Sequence, residues 1–397
     1  CGQCTVICPN GFDMSQVCKS ARENMVSTDK MPLAPHEFAL MDMLFSNSEA
    51  FLSRPQPGYE TCRYVFFPGC QAGAIAPDVV MQAYEDLSNR VDRGVALMLG
   101  CCGAISEWAG RYEMTEKVNE QLKQELAKLG DPIIIAGCPT CMKQLKESIG
   151  AHVIGIWEIL KEIGLPQQAK GLEIPVAIHD ACGARGDAQT QDTIRQLLSD
   201  MGCIVEDTEY SRDLSPCCGY GGLTAYANKD MAAKMTEKCL ERSDAPYITY
   251  CMACRDRFAR EGRESRHIME LLYGANASNM PDISEKRYNR LILKQTLLKN
   301  IWNEEPIMEK KDYTVAYTEE AIHMMDERMI LKSDVERVLS DYRENREAIL
   351  DEETKELVTR SRLGNVTFWV RFVETEDGYL VHRAYSHRMN IMKRVGQ

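Results

Sequence analysis

Ten of the seventeen cysteines in this 397-residue chain fall on one template that is written twice. In the first copy Cys70 is followed by the adjacent pair Cys101-Cys102 and then by Cys138-Pro139-Thr140-Cys141. In the second, Cys182 is followed by Cys217-Cys218 and by Cys251-Met252-Ala253-Cys254, with every position displaced by 112 to 116 residues. A Cys-x-x-Cys turn curls the backbone enough to aim two sulfurs at one metal centre. When it opens a helix, the partial positive charge of the helix start favours thiolate. Adjacent cysteines point to opposite sides of an extended chain, so a pair serves one centre only where the chain turns sharply. The glycine after each pair, Gly103 or Gly219, permits that turn. Five thiolates per copy exceed the four of a tetrahedral zinc site, and soft sulfur ligands in such numbers favour an iron–sulfur cluster. Buried free cysteines, dithiol switches and a structural zinc protein are the rival readings. The first two leave the duplicated register unexplained, and colour separates the third, since zinc–thiolate sites are colourless.

The elements that must position these residues are legible around them. Short branched or aromatic runs precede the cysteine loops: Tyr64–Phe67, Val95–Met98, Ile133–Ile135, Val176–Ile178 and Tyr247–Tyr250. Each reads as a buried strand. Helical apolar spacing follows at about 77–90, 111–129, 142–149, 189–201, 227–242 and 255–262. Alternating strands and helices predict an α/β fold of two pseudo-symmetric Rossmann-like halves with parallel sheets, the ligand loops lying at the carboxyl ends of the strands. The expected divisions are a ferredoxin-type segment at 1–20, a helical linker at 21–60, cysteine-rich repeats at 61–165 and 166–275, and a small α+β domain at 276–397. In that tail 318–328 and 333–346 read as helices. Asn365–Val370 and Tyr379–His382 read as strands around a Glu376-Asp377-Gly378 turn.

At the start of the chain, Cys1-Gly2-Gln3-Cys4 and Cys8-Pro9 match the later part of the ferredoxin run C-x2-C-x2-C-x3-C-P, whose first cysteine would lie three residues before residue 1. The chain thus reads as beginning inside a ferredoxin-type domain, with Cys1 and Cys4 serving one cubane and Cys8 another; a zinc loop or a disordered remnant is the alternative. Cys18 reads equally as a ligand or as a buried residue. Cys62, Cys203 and Cys239 have no repeat partner and read as core. His179, three residues before Cys182, could donate a proton near the cluster, although a hydrogen-bonded structural histidine is the plainer reading. His323, Met324, Met325 and Met329 read as helix core, and Tyr220-Gly221-Gly222 as a tight loop. His382 and His387 lack a nearby cysteine that would suggest a metal site.

Hydrophobic residues at 44% and charged residues at 27% describe a globular protein of roughly two or three domains. No run of eighteen apolar residues is present, so no membrane-spanning helix is expected. The net charge of −12 argues against a nucleic-acid surface and suits a cytoplasmic protein that docks on other subunits.

Residues 62–275 resemble the cysteine-rich domain of the heterodisulfide reductase B/D family. The resemblance rests on Phe66-Phe67-Pro68-Gly69-Cys70, His179-Asp180-Ala181-Cys182 and Cys217-Cys218-Gly219-Tyr220-Gly221-Gly222. It implies two noncubane [4Fe–4S] clusters on the ten repeat cysteines, a disulfide substrate cleaved between them, and a ferredoxin-type [4Fe–4S] cluster in front feeding electrons forward. The implied setting is an anaerobic complex with ferredoxin-type or flavoprotein redox subunits. Relatives that use the same domain in lactate, glycolate, glycerol-phosphate or quinone-linked complexes imply a second possibility, an electron-relay or docking subunit without its own disulfide substrate. The chain departs from the family at Gly183-Ala184-Arg185-Gly186, where relatives often carry His-Leu-Gly-Arg; substrate contacts are what this departure touches.

Overall fold

The computed structural model describes residues 1–31, 35–274, 280–305, 312–363 and 366–387. The chain divides into two compact units, Cys1–Met280 with Arg287–Pro306, and Pro281–Lys286 with Ile307–Gln397.

The first unit is α/β. Its first sheet contains β1 (Leu52–Arg54), β2 (Tyr64–Phe67), β3 (Val95–Leu99), β4 (Ile133–Ala136) and β5 (Val153–Gly155), in the order β1-β3-β2-β4-β5. All neighbours are parallel except β1, which runs antiparallel to β3. The second sheet is wholly parallel, β7-β6-β8-β9, from β6 (Pro175–His179), β7 (Ile204–Asp207), β8 (Tyr247–Thr249) and β9 (Ser265–His267). Taken in chain order, both parallel blocks place their second strand first, then the first, third and fourth. The expected apolar runs are the central strands: Phe66, Leu97, Ile135, Ile178 and Ile248 are all buried. A parallel sheet covered on both faces requires continuous apolar sequence rather than alternation.

Helices cover these sheets with their apolar stripes. Pro77–Arg90 opens with a proline, tolerated where the first N–H has no partner, and buries Val79, Val80, Ala83, Tyr84 and Leu87. Ala188–Asp200 is capped by Asp187, which accepts from the Thr190 N–H at 3.0 Å. Two helices reach across the unit. Pro139–Ile149 packs on the turn Cys182–Ala184 of the second half, and Met252–Arg260 packs on the helix Cys70–Ile75 of the first.

The second unit has its own core of Met325, Val338, Leu339, Val370, Phe372 and Val381. There β10 (Thr314–Tyr317), β11 (Ile349–Leu350), β12 (Leu357–Leu363), β13 (Val366–Thr375) and β14 (Gly378–His387) form a sheet in the order β10-β14-β13-β12-β11. The helices Glu319–Arg328 and Lys332–Asn345 lie where the sequence places them. Among the described residues no helix is long and apolar enough to cross a membrane.

Several features differ from the sequence expectation. Within 21–60, the helix Glu37–Ser46 buries Leu40 and Met43, and β1 pairs with β3, so this stretch is an edge of the first sheet as well as a connection. Strand β7 is not legible in the sequence because its Ile204-Val205-Glu206-Asp207 residues are largely exposed at a sheet edge. Helix Ile283–Trp302 sends Arg290, Leu293 and Leu297 into the first unit's interior, so 287–306 group with the cysteine-rich unit rather than with the tail. The boundary expected at 276, and Asn365 of the expected strand, lie outside the described residues.

Candidate metal centres

In each half, the first cysteine follows the first strand, the adjacent pair follows the second, and the Cys-x-x-Cys opens the helix after the third. Gly69 turns the chain into Cys70 with φ +87°; a Cβ there would lie 3.3 Å from the Cys141 Sγ and 3.5 Å from the Cys138 Cβ. This glycine is required both by its left-handed backbone and by the ligand loop beside it. Gly103 and Gly219, after the two pairs, have φ +85° and +90°, so the turn read from the sequence is present at both. Cys138 and Cys251 stand at the N-cap positions of Pro139–Ile149 and Met252–Arg260.

The ten thiols lie in one row of neighbours. It runs Cys70, Cys101, Cys102, Cys141, Cys138, then Cys251, Cys254, Cys218, Cys217 and Cys182. The row crosses from one half to the other at Cys138 and Cys251. The Cys254 and Cys218 sulfurs are 3.2 Å apart. Six of the ten are buried; Cys70, Cys138, Cys182 and Cys251, at the two ends and the middle of the row, are half-buried. None of the seventeen cysteines is in a disulfide.

Hydrogen bonds from Cys101 and Cys141 pull Cys102 down to about 6. Hydrogen bonds from Cys217 and Cys254 hold Cys218 well below the ordinary thiol range, and those from Cys141 and Cys251 do the same for Cys138. Donation to neighbouring sulfurs, to Cys101 in the case of Cys70, together with burial pushes Cys70, Cys141, Cys217 and Cys254 up. Ten sulfurs gathered in one row, six of them buried, are a donor set that fits a soft, thiophilic metal. Among the described residues no three His, Cys, Asp or Glu side chains close around a single metal ion. A row of five sulfurs in each half suits a polynuclear cage better than one tetrahedral ion.

The backbone around the row is held by residues that sequence reasoning did not single out. Buried Asn47 accepts from the Cys101 N–H at 2.7 Å and donates to the Cys101 carbonyl at 3.1 Å. Thr236 donates to the Cys218 carbonyl at 2.8 Å, and Arg290 donates to the Cys70 carbonyl at 3.0 Å. Arg185 donates to the carbonyls of Cys1 at 2.8 Å, Ser215 at 2.6 Å, and Asp213. Asn47 and Arg290 lie far from their partners in sequence, on elements with no cysteine, so no local signal marks them.

The N-terminal cysteines are more open. Cys1 and Cys4 are exposed and Cys8 is half-buried. The N–H groups of Phe12 and Asn10 hold the Cys8 thiol below its ordinary range. Cys18 is exposed on the helix Met14–Ser27. Cys62, Cys203 and Cys239 are buried, and burial pushes Cys239 up to about 12. His179 is buried edge-on against Phe258 with ring centres 4.8 Å apart. Burial holds it below the usual imidazole range, and its Nε2 has no hydrogen-bond partner among the described residues. In the second unit His382 pairs with Glu356 at 2.6 Å, and His387 accepts from the Trp369 indole at 2.7 Å.

Comparison with known proteins agrees with this geometry. The cysteine-rich domain matches at residues 64–146 and again at 176–258. An uncharacterized iron–sulfur protein of Methanococcus maripaludis is 24% identical over 64% of this chain and 54% of its own length. The D subunit of the dihydromethanophenazine:CoB–CoM heterodisulfide reductase of Methanosarcina acetivorans is 22% identical over 67% of this chain and 72% of its own. The B subunit of the fumarate reductase (CoM/CoB) of Methanothermobacter marburgensis is 26% identical over 53% of this chain and 45% of its own. The chain therefore spans about half the length of the first and the last of these. No solved structure matches. The chain carries the cysteine-rich domain twice, and over these residues it is similar to an iron–sulfur protein and to the heterodisulfide reductase D and fumarate reductase B polypeptides.

Proposed function

We propose that the chain is the electron-transferring and catalytic subunit of a heterodisulfide-reductase-like complex. In this reading Cys70, Cys101, Cys102, Cys138 and Cys141 hold one noncubane [4Fe–4S] cluster. Cys182, Cys217, Cys218, Cys251 and Cys254 hold a second. Cys1, Cys4 and Cys8 belong to ferredoxin-type [4Fe–4S] ligation on the electron-donor side. The observation that carries the reading is the single row of ten thiols crossing between halves at Cys138 and Cys251. When bound, such clusters supply single electrons from the ferredoxin-type side and, in pairs, the two that with two protons cleave a disulfide into two thiols.

The chain's own residues prepare and protect the ligands. The starts of Pro139–Ile149 and Met252–Arg260 present free N–H groups beside the Cys-x-x-Cys sulfurs, which offsets anionic charge. Gly69, Gly103 and Gly219 let the backbone approach the sulfurs. Asn47 and Thr236 fix the carbonyls of Cys101 and Cys218. Burial of six of the ten thiols excludes water, and the half-buried Cys138 and Cys251 leave the middle of the row as the place where a substrate sulfur would approach. The shared strand order of the two parallel blocks supports reading them as pseudo-symmetric Rossmann-like halves. Anaerobic purification with iron analysis and electron paramagnetic resonance tests the assignment. Two such clusters require about eight irons in the repeat sites, and fewer than about two irons per chain would end it.

A docking role for the second unit is favoured by its separate core and its lack of cysteine. Partners would be redox subunits, ferredoxin-type or flavoprotein. Deleting 307–397 is expected to abolish co-purification of the partner while iron content stays the same; a deletion that leaves co-purification intact removes this reading.

A further inference from the structure

The ionic surroundings of the two halves differ. Beside the first-half ligands, one carboxylate faces two guanidiniums. Asp42 is 2.7 Å from the Arg290 Nη1 and 3.8 Å from the Arg287 Nε. Beside the second-half ligands, Arg257 reaches the Cys218 carbonyl only through the Thr236 hydroxyl, and a further guanidinium faces two carboxylates. Arg195 pairs with Asp180 at 2.8 Å and also with Asp207. Arg185 lies close to Cys182 as well, but it is half-exposed and spread over the carbonyls of Cys1, Asp213 and Ser215.

Arg290 is placed to matter most. It is only 5% exposed, and its Nε–H donates to the carbonyl of Cys70, a ligand in the proposed reading. It comes from the helix Ile283–Trp302, beyond both cysteine-rich repeats. That helix sits hard on the Cys70–Ile75 turn, since a Cβ on Gly73 would be 3.1 Å from the Leu293 Cδ2. A buried cation next to a redox centre favours its more negative, reduced state, and low local dielectric strengthens the effect. A hydrogen bond that draws electron density from a ligand's own peptide acts in the same direction.

We propose that Arg290 is a positioning residue that raises the reduction potential of the first-half centre above that of the second, so that electrons come to rest on the Cys70 side. The proposal rests on the iron–sulfur reading above, and the wild-type protein separates the two. Anaerobic redox titration followed by electron paramagnetic resonance should show two potentials, with the signal lost in Cys102→Ser higher than the signal lost in Cys218→Ser. Absence of iron–sulfur signals in wild type overturns the underlying reading. Two normal signals that titrate together, or in the reverse order, overturn only the assignment of polarity.

The variant arm uses Arg290→Gln, which removes the cation while Arg287, 3.8 Å from Asp42, still faces the carboxylate. The expected result is full iron content and at least a tenfold loss in the reduced fraction of the first-half centre at fixed potential, about 59 mV for one electron. The second-half centre should stay in place. Arg290→Lys retains the charge and should recover at least half of the shift. Equal movement of both centres, no movement, or a lysine variant with full iron that falls as far as the glutamine one each refute the role of the charge.

Discussion

A close approach between the two halves is made by backbone, and a single methyl group should disturb it. Gly183, one residue after Cys182, lies against the first turn of Pro139–Ile149. A Cβ at Gly183 would stand 2.7 Å from the Thr140 N, 2.9 Å from the Pro139 carbonyl carbon and 3.0 Å from the Thr140 Cα. Ordinary carbon contacts begin near about 3.5 Å, so Gly183→Ala must push one ligand-bearing turn away by more than half an ångström. None of the three atoms belongs to a flexible side chain that could swing aside. Overpacking of this kind costs about 1–3 kcal/mol. At roughly 2–4 °C per kcal/mol for a large domain, the anaerobic thermal midpoint should fall by about 2–12 °C. Because the displaced turns carry Cys182 and Cys138, iron content should fall with it. Gly221→Ala is the control: its nearest neighbour would be the Trp108 ring at 3.9 Å, an ordinary contact. Its cost should stay under about 0.5 kcal/mol. Gly183→Ala with a midpoint within about 1 °C of wild type and full iron would refute the packing argument.

Three other outcomes follow from the same structure. Arg255 and Glu270 are both buried and pair at 3.1 Å, so Arg255→Met strands a carboxylate and should cost about 3–5 kcal/mol; Arg255→Met/Glu270→Met should regain more than half of that, and denaturant unfolding reads both. Alanine at Cys62, Cys203 or Cys239 should leave iron content at wild-type level, whereas alanine at Cys101 or Cys218 should remove one centre; iron analysis that shows the reverse breaks the ligand assignment. Stripping metal with a chelator under reducing, anaerobic conditions should lower the thermal midpoint and open the repeat thiols to alkylation; mass spectrometry that finds them already alkylated in the brown, untreated protein would contradict ligation.

The parts of this structure written in local sequence are legible, and those made by distant partners are not. Every central strand of the first unit announces itself, because a strand buried on both faces must be apolar throughout, as Val95–Leu99 is. Edge strands lack that requirement: β7 carries Glu206 and Asp207, and β5 and β9 are three residues each. The cysteine template is visible because both halves repeat the same spacing. The two adjacent pairs also keep their glycines, whose left-handed φ values the turn demands. Asn47, Arg290 and Thr236 escape a reading of the sequence because what makes them notable is a single carbonyl, 54, 220 and 18 residues away. The helix Ile283–Trp302 reads as part of the tail because cysteine disappears before it. Its membership in the first unit depends on Leu293, Leu297 and one buried arginine, a stripe too narrow to distinguish from an ordinary surface helix.

The duplicated halves are joined through what each lends the other. The helix that follows Cys138 rests on the Cys182 turn, and the helix that follows Cys251 rests on the Cys70 helix. A ligand turn in one half is therefore shaped partly by the Cys-x-x-Cys helix of the other, and neither set of five sulfurs can be moved alone. The same exchange brings Cys138 and Cys251 together where the two sets meet. Two separately folded domains on a linker would have no reason to place sulfur against sulfur at their junction, since two half-buried thiols there lose part of their hydration and return little as packing. The arrangement has a physical rationale if charge must pass between the halves, or if something must react at the point where they meet. In either case, substitutions at the crossing helices should alter both centres at once, while those at Asn47 or Thr236 should alter one.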